Sequence, residues 1–201
     1  MNALVSKTAQ VLLLTVGCLV AGCQQGPAMV ANPDHEAWQA FEPGSYVVFD
    51  GTHSDGTETR KLRVTRTLTL KNKQGVVLEQ KVEVWRDEQA DSNQVAQRAH
   101  LKEIDPEGHY RTHPASQILN RGTETVSVNG RELRCRVEDL ELTAAYEGFV
   151  GTTEELRARM WSSSFVPGGL VKVDMSAKTK THESHVRGQV VEYRALKAKE
   201  R

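Results

Sequence analysis

The sequence predicts a mainly β protein: a curved antiparallel sheet, half-open like a split barrel or layered like a sandwich, with one or two short helices. Three observations predict it. Apolar and polar residues alternate with a period of two, most plainly where Leu62, Val64, Leu68 and Leu70 share one parity while Lys61, Arg63, Thr65, Thr67, Thr69 and Lys71 share the other. Turn signals recur at hairpin spacing, as Asn72-Lys73-Gln74-Gly75, Asn129-Gly130 and Pro167-Gly168-Gly169. No regular series of helical segments separates the strands, so the crossovers that a parallel sheet needs are missing.

Taken in order, the first element is a short helix over 34–41. Asp34 is placed to cap it, Trp38 and Phe41 fall three apart on one face, and Glu42-Pro43-Gly44-Ser45 stops it. A strand over 46–50 follows. The alternation over 62–71 gives the next, and after the turn at 72–75 the return strand runs through Val76, Leu78, Val82 and Val84 to Trp85. Further strands are expected at 94–103, 124–128 and 132–142, the last two joined by Asn129-Gly130, whose composition suits a type I′ turn. The final three are expected at 152–162, 169–178 and 184–195. Residues 105–121, with Asp105-Pro106-Glu107-Gly108 and His113-Pro114, read as the longest loop, with room for a short helix. No internal repeat fixes a blade or solenoid period.

The amino terminus reads as an address. Lys7 precedes an apolar stretch of roughly a dozen residues, too short for the ~20 of a membrane span but suited to a signal-peptide core. The stretch ends at Val20-Ala21-Gly22-Cys23, which resembles the bacterial lipobox. The resemblance implies that residues 1–22 are a lipoprotein signal peptide and that Cys23 is acylated, with palmitate among its chains. Residues 23–33 then form a lipidated tether, and residues 34–201 a single β-rich domain. Gln24 follows the cysteine where an Asp is associated with retention at the inner membrane, so the resemblance favours the outer membrane, facing the periplasm.

The 201 residues carry 26 Lys+Arg and 26 Asp+Glu, a formal net charge of zero. That balance offers no surplus for nucleic-acid phosphates, and nucleic acid is not an expected partner. Of three cysteines, Cys18 leaves with the signal and Cys23 takes lipid, so Cys135 has no partner for an intramolecular disulfide. It lies between Leu133 and Val137 at strand parity, which reads as a buried thiol, with a functional thiol as the alternative.

No catalytic motif is present: no G-x-S-x-G, S-x-x-K, C-x-x-C or H-E-x-x-H, and no glycine-rich phosphate loop. Ser162-Ser163-Ser164 reads as a polar turn. His109 with His113, and His182 with His185, are the histidine pairs; neither has an obvious third ligand, and no metal or other cofactor is expected. Glu138-Asp139-Glu141 and Glu154-Glu155 read as solvated faces. Arg66 interrupts the apolar parity of its strand, marking either a polar opening in a cavity or the point where the strand passes the rim, the rim being the plainer reading.

Two segments carry a wider resemblance. Gly130-Arg131-Glu132-Leu133-Arg134-Cys135 and Trp161-Ser162-Ser163-Ser164-Phe165-Val166-Pro167-Gly168-Gly169-Leu170-Val171-Lys172 resemble a family of uncharacterised exported bacterial proteins that pairs a G-x-x-L-x-C strand with a W-x-S-x-x-V-P-G-G-x-V-K hairpin. The resemblance spans roughly residues 120–195. It implies a fold similar to the lipoprotein carriers and lipid-binding lipoproteins of the LolA and LppX type, in which a curved sheet wraps helices around an apolar hollow.

The expectation is therefore a non-enzymatic lipoprotein, anchored to the membrane through its N-terminal lipid, whose curved sheet binds a lipid or other apolar ligand. Trp85, Trp161 and Phe165 are the candidate ligand-binding residues. The alternative is a structural lipoprotein that docks an envelope protein through a sheet edge or the 105–121 loop. An envelope hydrolase assembled from scattered Ser, His and Asp is the third reading.

Overall fold

Nine of the alternating segments pair into one antiparallel sheet. The computed structural model describes residues 29–86, 89–104, 116–142, 146–148, 151–153 and 155–197. In chain order the elements are β1 Val30–Ala31, α1 Pro33–Gln39, β2 Tyr46–Ser54, β3 Thr59–Lys71, β4 Gly75–Arg86, β5 Gln89–Leu101 and β6 Glu103–Ile104. They continue as β7 Ser116–Val128, β8 Arg131–Leu142, β9 Tyr146–Gly148, β10 Gly151–Thr153, β11 Glu155–Ser162, β12 Leu170–Lys178 and β13 Glu183–Arg194.

The large sheet has the order β5-β4-β3-β2-β13-β12-β11-β8-β7, with two-stranded pairs β1–β6 and β9–β10 beside it. Neighbours in space are mostly neighbours in sequence. The exceptions are β11 on β8, across β9 and β10, and β13 on β2, which brings the last strand to the first long one, with Val190 opposite Phe49 and Tyr193 opposite Val47. The mainly β, open antiparallel architecture expected from the alternation is therefore present, with one helix among the described residues.

The sheet curves. β7 touches β13 although it lies four positions away in the strand order. Register shifts supply local twist at Leu68/Leu70, Val84/Trp85, Ile118/Asn120, Trp161/Ser162 and Val190/Glu192. At the turn between β7 and β8, Asn129 (φ 49°) and Gly130 (φ 74°) both take the left-handed region, as a type I′ turn requires.

Several details differ from the sequence reading. Asn32, not Asp34, caps α1: its side-chain oxygen accepts from the Asp34 N–H at 3.0 Å. Pro33 occupies the first helical position, where a missing N–H costs nothing, and this moves the cap back. Asp34 instead places its charge in the first turn. The end of the expected tether is not free chain, since Val30 and Ala31 pair with Ile104 and Glu103. The expected 105–121 loop is too long at its far end, because residues 116–121 are paired in β7; residues 105–115, with His109 and His113, lie outside the described residues. So do Cys23 and the whole of 1–28.

The core joins α1 to the last strand. Trp38 and Phe41 (each 1% exposed) pack with Leu68, Val76, Leu78, Val190 and the buried residues of β8 and β11. After α1 the chain is strapped to the carboxyl end: Ser45 Oγ accepts from Leu196 N–H at 3.0 Å, and Glu42 N–H donates to Leu196 O at 2.7 Å. The loop after β11 is pinned to the helix by Gly168 N–H donating to Ala37 O at 3.2 Å. Gly168 (φ 79°) sits against Trp38, and a Cβ there would lie 2.9 Å from the indole nitrogen. Only glycine meets both conditions, the positive φ and the close ring.

Candidate functional site

Between α1 and the middle of the sheet lies a cavity of about 210 Å³. Val47 and Phe49 of β2, Leu62, Val64 and Arg66 of β3, and Val186 and Val190 of β13 line it. Trp38, Pro167 and Gly168 close it from the helix side, with Leu170 and Val173 of β12 completing the wall.

The sheet register explains the lining. Val47 stands opposite Arg66, Phe49 opposite Val64 and Gly51 opposite Leu62, so these side chains share one face. Val190 is opposite Phe49, which carries the same face onto β13. Leu170 and Val173 are three apart, a spacing that puts side chains on opposite faces of a regular strand. Here Trp161 pairs with Lys172 and Ser162 with Leu170, so Val171 is skipped and Leu170 returns to the cavity side. Gly51 and Gly188 pair across β2 and β13, and a Cβ on Gly188 would meet the Phe49 ring at 2.4 Å, so a side chain there would displace a ring that lines the cavity.

Arg66 is the one charged residue in this lining. Its Nε donates to Gln80 Oε1 at 2.9 Å. Among the described residues no carboxylate lies within ion-pair distance of its guanidinium. Desolvation by the surrounding apolar wall lowers its pKa from the ordinary arginine value; Asp34 acts the other way and Arg98 adds to the lowering. The residue as a whole is nonetheless solvent-exposed, at the mouth of the hollow rather than inside it. The two readings open for Arg66 meet here, since it borders the cavity and is itself exposed at the rim.

The three aromatic candidates are not brought together, and none lines this cavity. Trp85 is half-buried near the end of β4, opposite Lys61. Trp161 is 5% exposed in the core, and its indole N–H donates to Glu124 Oε2 at 2.7 Å. Arg159 bridges to the same carboxylate at 2.5 Å, and Lys172 Nζ lies 4.4 Å from the indole centroid. Phe165 is 57% exposed, with Lys197 Nζ 5.6 Å from its ring centroid. Trp38, read from the sequence only as part of one face of the short helix, lines the cavity.

Cys135 is fully buried between Leu133 and Val137, with burial and, secondarily, Glu124 raising its pKa. That is the setting of a packing thiol. His182 is exposed and His185 half-buried, and His185 faces Glu183 at 3.5 Å. No group of three potential metal ligands occurs among the described residues. No family model, curated protein or solved structure matches the chain.

Proposed function

We propose that this chain is a non-enzymatic, lipid-anchored exported protein that holds an apolar ligand in the cavity between α1 and the sheet. The observation that carries the reading is the cavity itself, a mainly apolar hollow with a single charged residue in its lining. An apolar cavity of about 150 Å³ suffices to take up benzene, whereas drug-sized ligands need about 300 Å³ or more. At about 210 Å³ the hollow suits a ring or one stretch of acyl chain, not a whole diacyl lipid. The lipobox-like Val20-Ala21-Gly22-Cys23 would keep it beside a source of such chains.

Lipid extraction and mass spectrometry of the purified chain test the ligand, with a fluorescent fatty acid as a second probe. Co-purifying or exchangeable apolar ligand is expected; neither found would overturn the reading. Intact mass of the membrane-extracted protein beside Cys23→Ser tests the anchor, with an acylated mass expected only for the parent.

A docking role rests on a separate observation. Both edge strands carry exposed apolar side chains, Val95 and Leu101 on β5 and Ile118 and Leu119 on β7. Crosslinking in cells that recovers only the chain itself would count against it.

A further inference from the structure

Charge and volume together narrow what the cavity accepts. The wall is supplied by valine, leucine, phenylalanine and tryptophan, and its only ion is the Arg66 guanidinium. A guanidinium has five N–H donors in a planar fork. Here the Nε donor is committed to Gln80, which fixes the plane of the group. The two terminal nitrogens have no hydrogen-bond or ion-pair partner among the described residues. Two parallel N–H donors at that end match the two oxygens of a carboxylate.

Arg98 of β5 strengthens the case, because its charge repels that of Arg66 and both favour a nearby anion. Asp34 is the opposing charge, and it stands 3.5 Å from His100 Nδ1. A neutral hydrocarbon would make no use of the Arg66 fork, which would stay with solvent at the mouth.

We infer that the cavity takes a single-chain amphiphile with a carboxylate head, its chain against Val64, Val186 and Val190 and its head in the fork of Arg66. This rests on the cavity being a ligand site. Scaled from benzene in about 150 Å³, the hollow holds about eight carbons. A longer chain leaves its remainder outside.

Equilibrium dialysis of the full chain carrying Cys23→Ser, so that no attached acyl group competes, tests this with octanoate and 1-octanol. The two probes share a chain and differ in charge. Octanoate is expected to bind more tightly than 1-octanol. Arg66→Met is expected to weaken octanoate by about tenfold or more, the scale of a charge-assisted bond, while leaving 1-octanol unchanged. Unchanged 1-octanol binding also shows that the variant is folded. Arg66→Lys, which keeps the charge and loses the fork, is expected to fall between. Equal binding of both probes, unaffected by Arg66→Met, would overturn the carboxylate and leave the apolar site standing. Failure of both probes to bind the parent chain would overturn the site as well.

Discussion

One sheet is packed in two different ways. At the β11–β8–β7 end, Leu133, Cys135, Val137 and Trp161 are all nearly inaccessible, and the polar edge of that cluster is closed by Glu124 with Arg159, Lys172 and the indole N–H. In the middle, where β3, β2, β13 and β12 run side by side, Leu62, Val64 and Val186 are only half-buried and a hollow remains beneath Trp38. Composition does not separate the two regions, since leucine and valine contribute to both. The difference is in what faces the sheet. The end region is filled by its own large side chains, while the middle is bridged by one seven-residue helix and a loop, which reach across and leave space below. A well-packed domain tolerates few such spaces, and one with a lone arginine at its side is the place to look for a ligand.

The largest test removes the bridge. Trp38→Ala should cost about 3–5 kcal/mol in urea unfolding, because it deletes a buried indole shared by core and cavity. A loss below about 1 kcal/mol would mean that α1 does not anchor the fold.

The second test applies one substitution to both regions. Val137→Leu adds a methylene where no space exists and should cost about 1–3 kcal/mol, whereas Val64→Leu can extend into the hollow and should stay within about 0.5 kcal/mol of the parent. Equal costs would erase the distinction.

Gly168→Ala tests the loop that shares the bridge. Its left-handed backbone and the Trp38 ring together should make alanine cost about 1–2 kcal/mol or more, seen as a lowered Tm.

The smallest expected effect concerns Glu124. The Trp161 indole N–H, then Arg159, hold its carboxyl below the ordinary glutamate value. Its stabilisation is therefore present above about pH 4.3, the unfolded value, and is lost as pH falls through the lower folded value. The Tm gap between the parent and Glu124→Gln should narrow across that acidic window. A gap independent of pH would place the role of Glu124 in shape alone.

Most strands were legible because one face is buried: Leu62, Val64 and Leu68 on β3, and Leu133, Cys135 and Val137 on β8, announce their parity. The edges were harder to read. β5 begins at Gln89 and β7 at Ser116, earlier than expected, because edge residues such as Asn93, Gln97 and Gly122 bury neither face and so leave no alternation. At the cavity, Arg66 was visible as an oddity, but its neighbours were not. They come together through the pairing of β13 with β2, which joins positions some 140 residues apart, and through a skipped residue at Val171 that reverses the parity of Leu170. Local sequence carries no trace of either. Of the segment from Trp161 to Gly168, Pro167 and Gly168 at its far end reach the cavity, while Trp161 and Phe165, the large aromatics expected to bind ligand, do not line it.

The most direct measurement is a methyl NMR titration of the valines with 1-octanol, a probe that needs no charge. Shifts are expected at Val64, Val186 and Val190, with Val137 and Val128 at the packed end unmoved. Absence of shifts at the cavity valines, or equal shifts at both ends, would contradict the cavity as a ligand site.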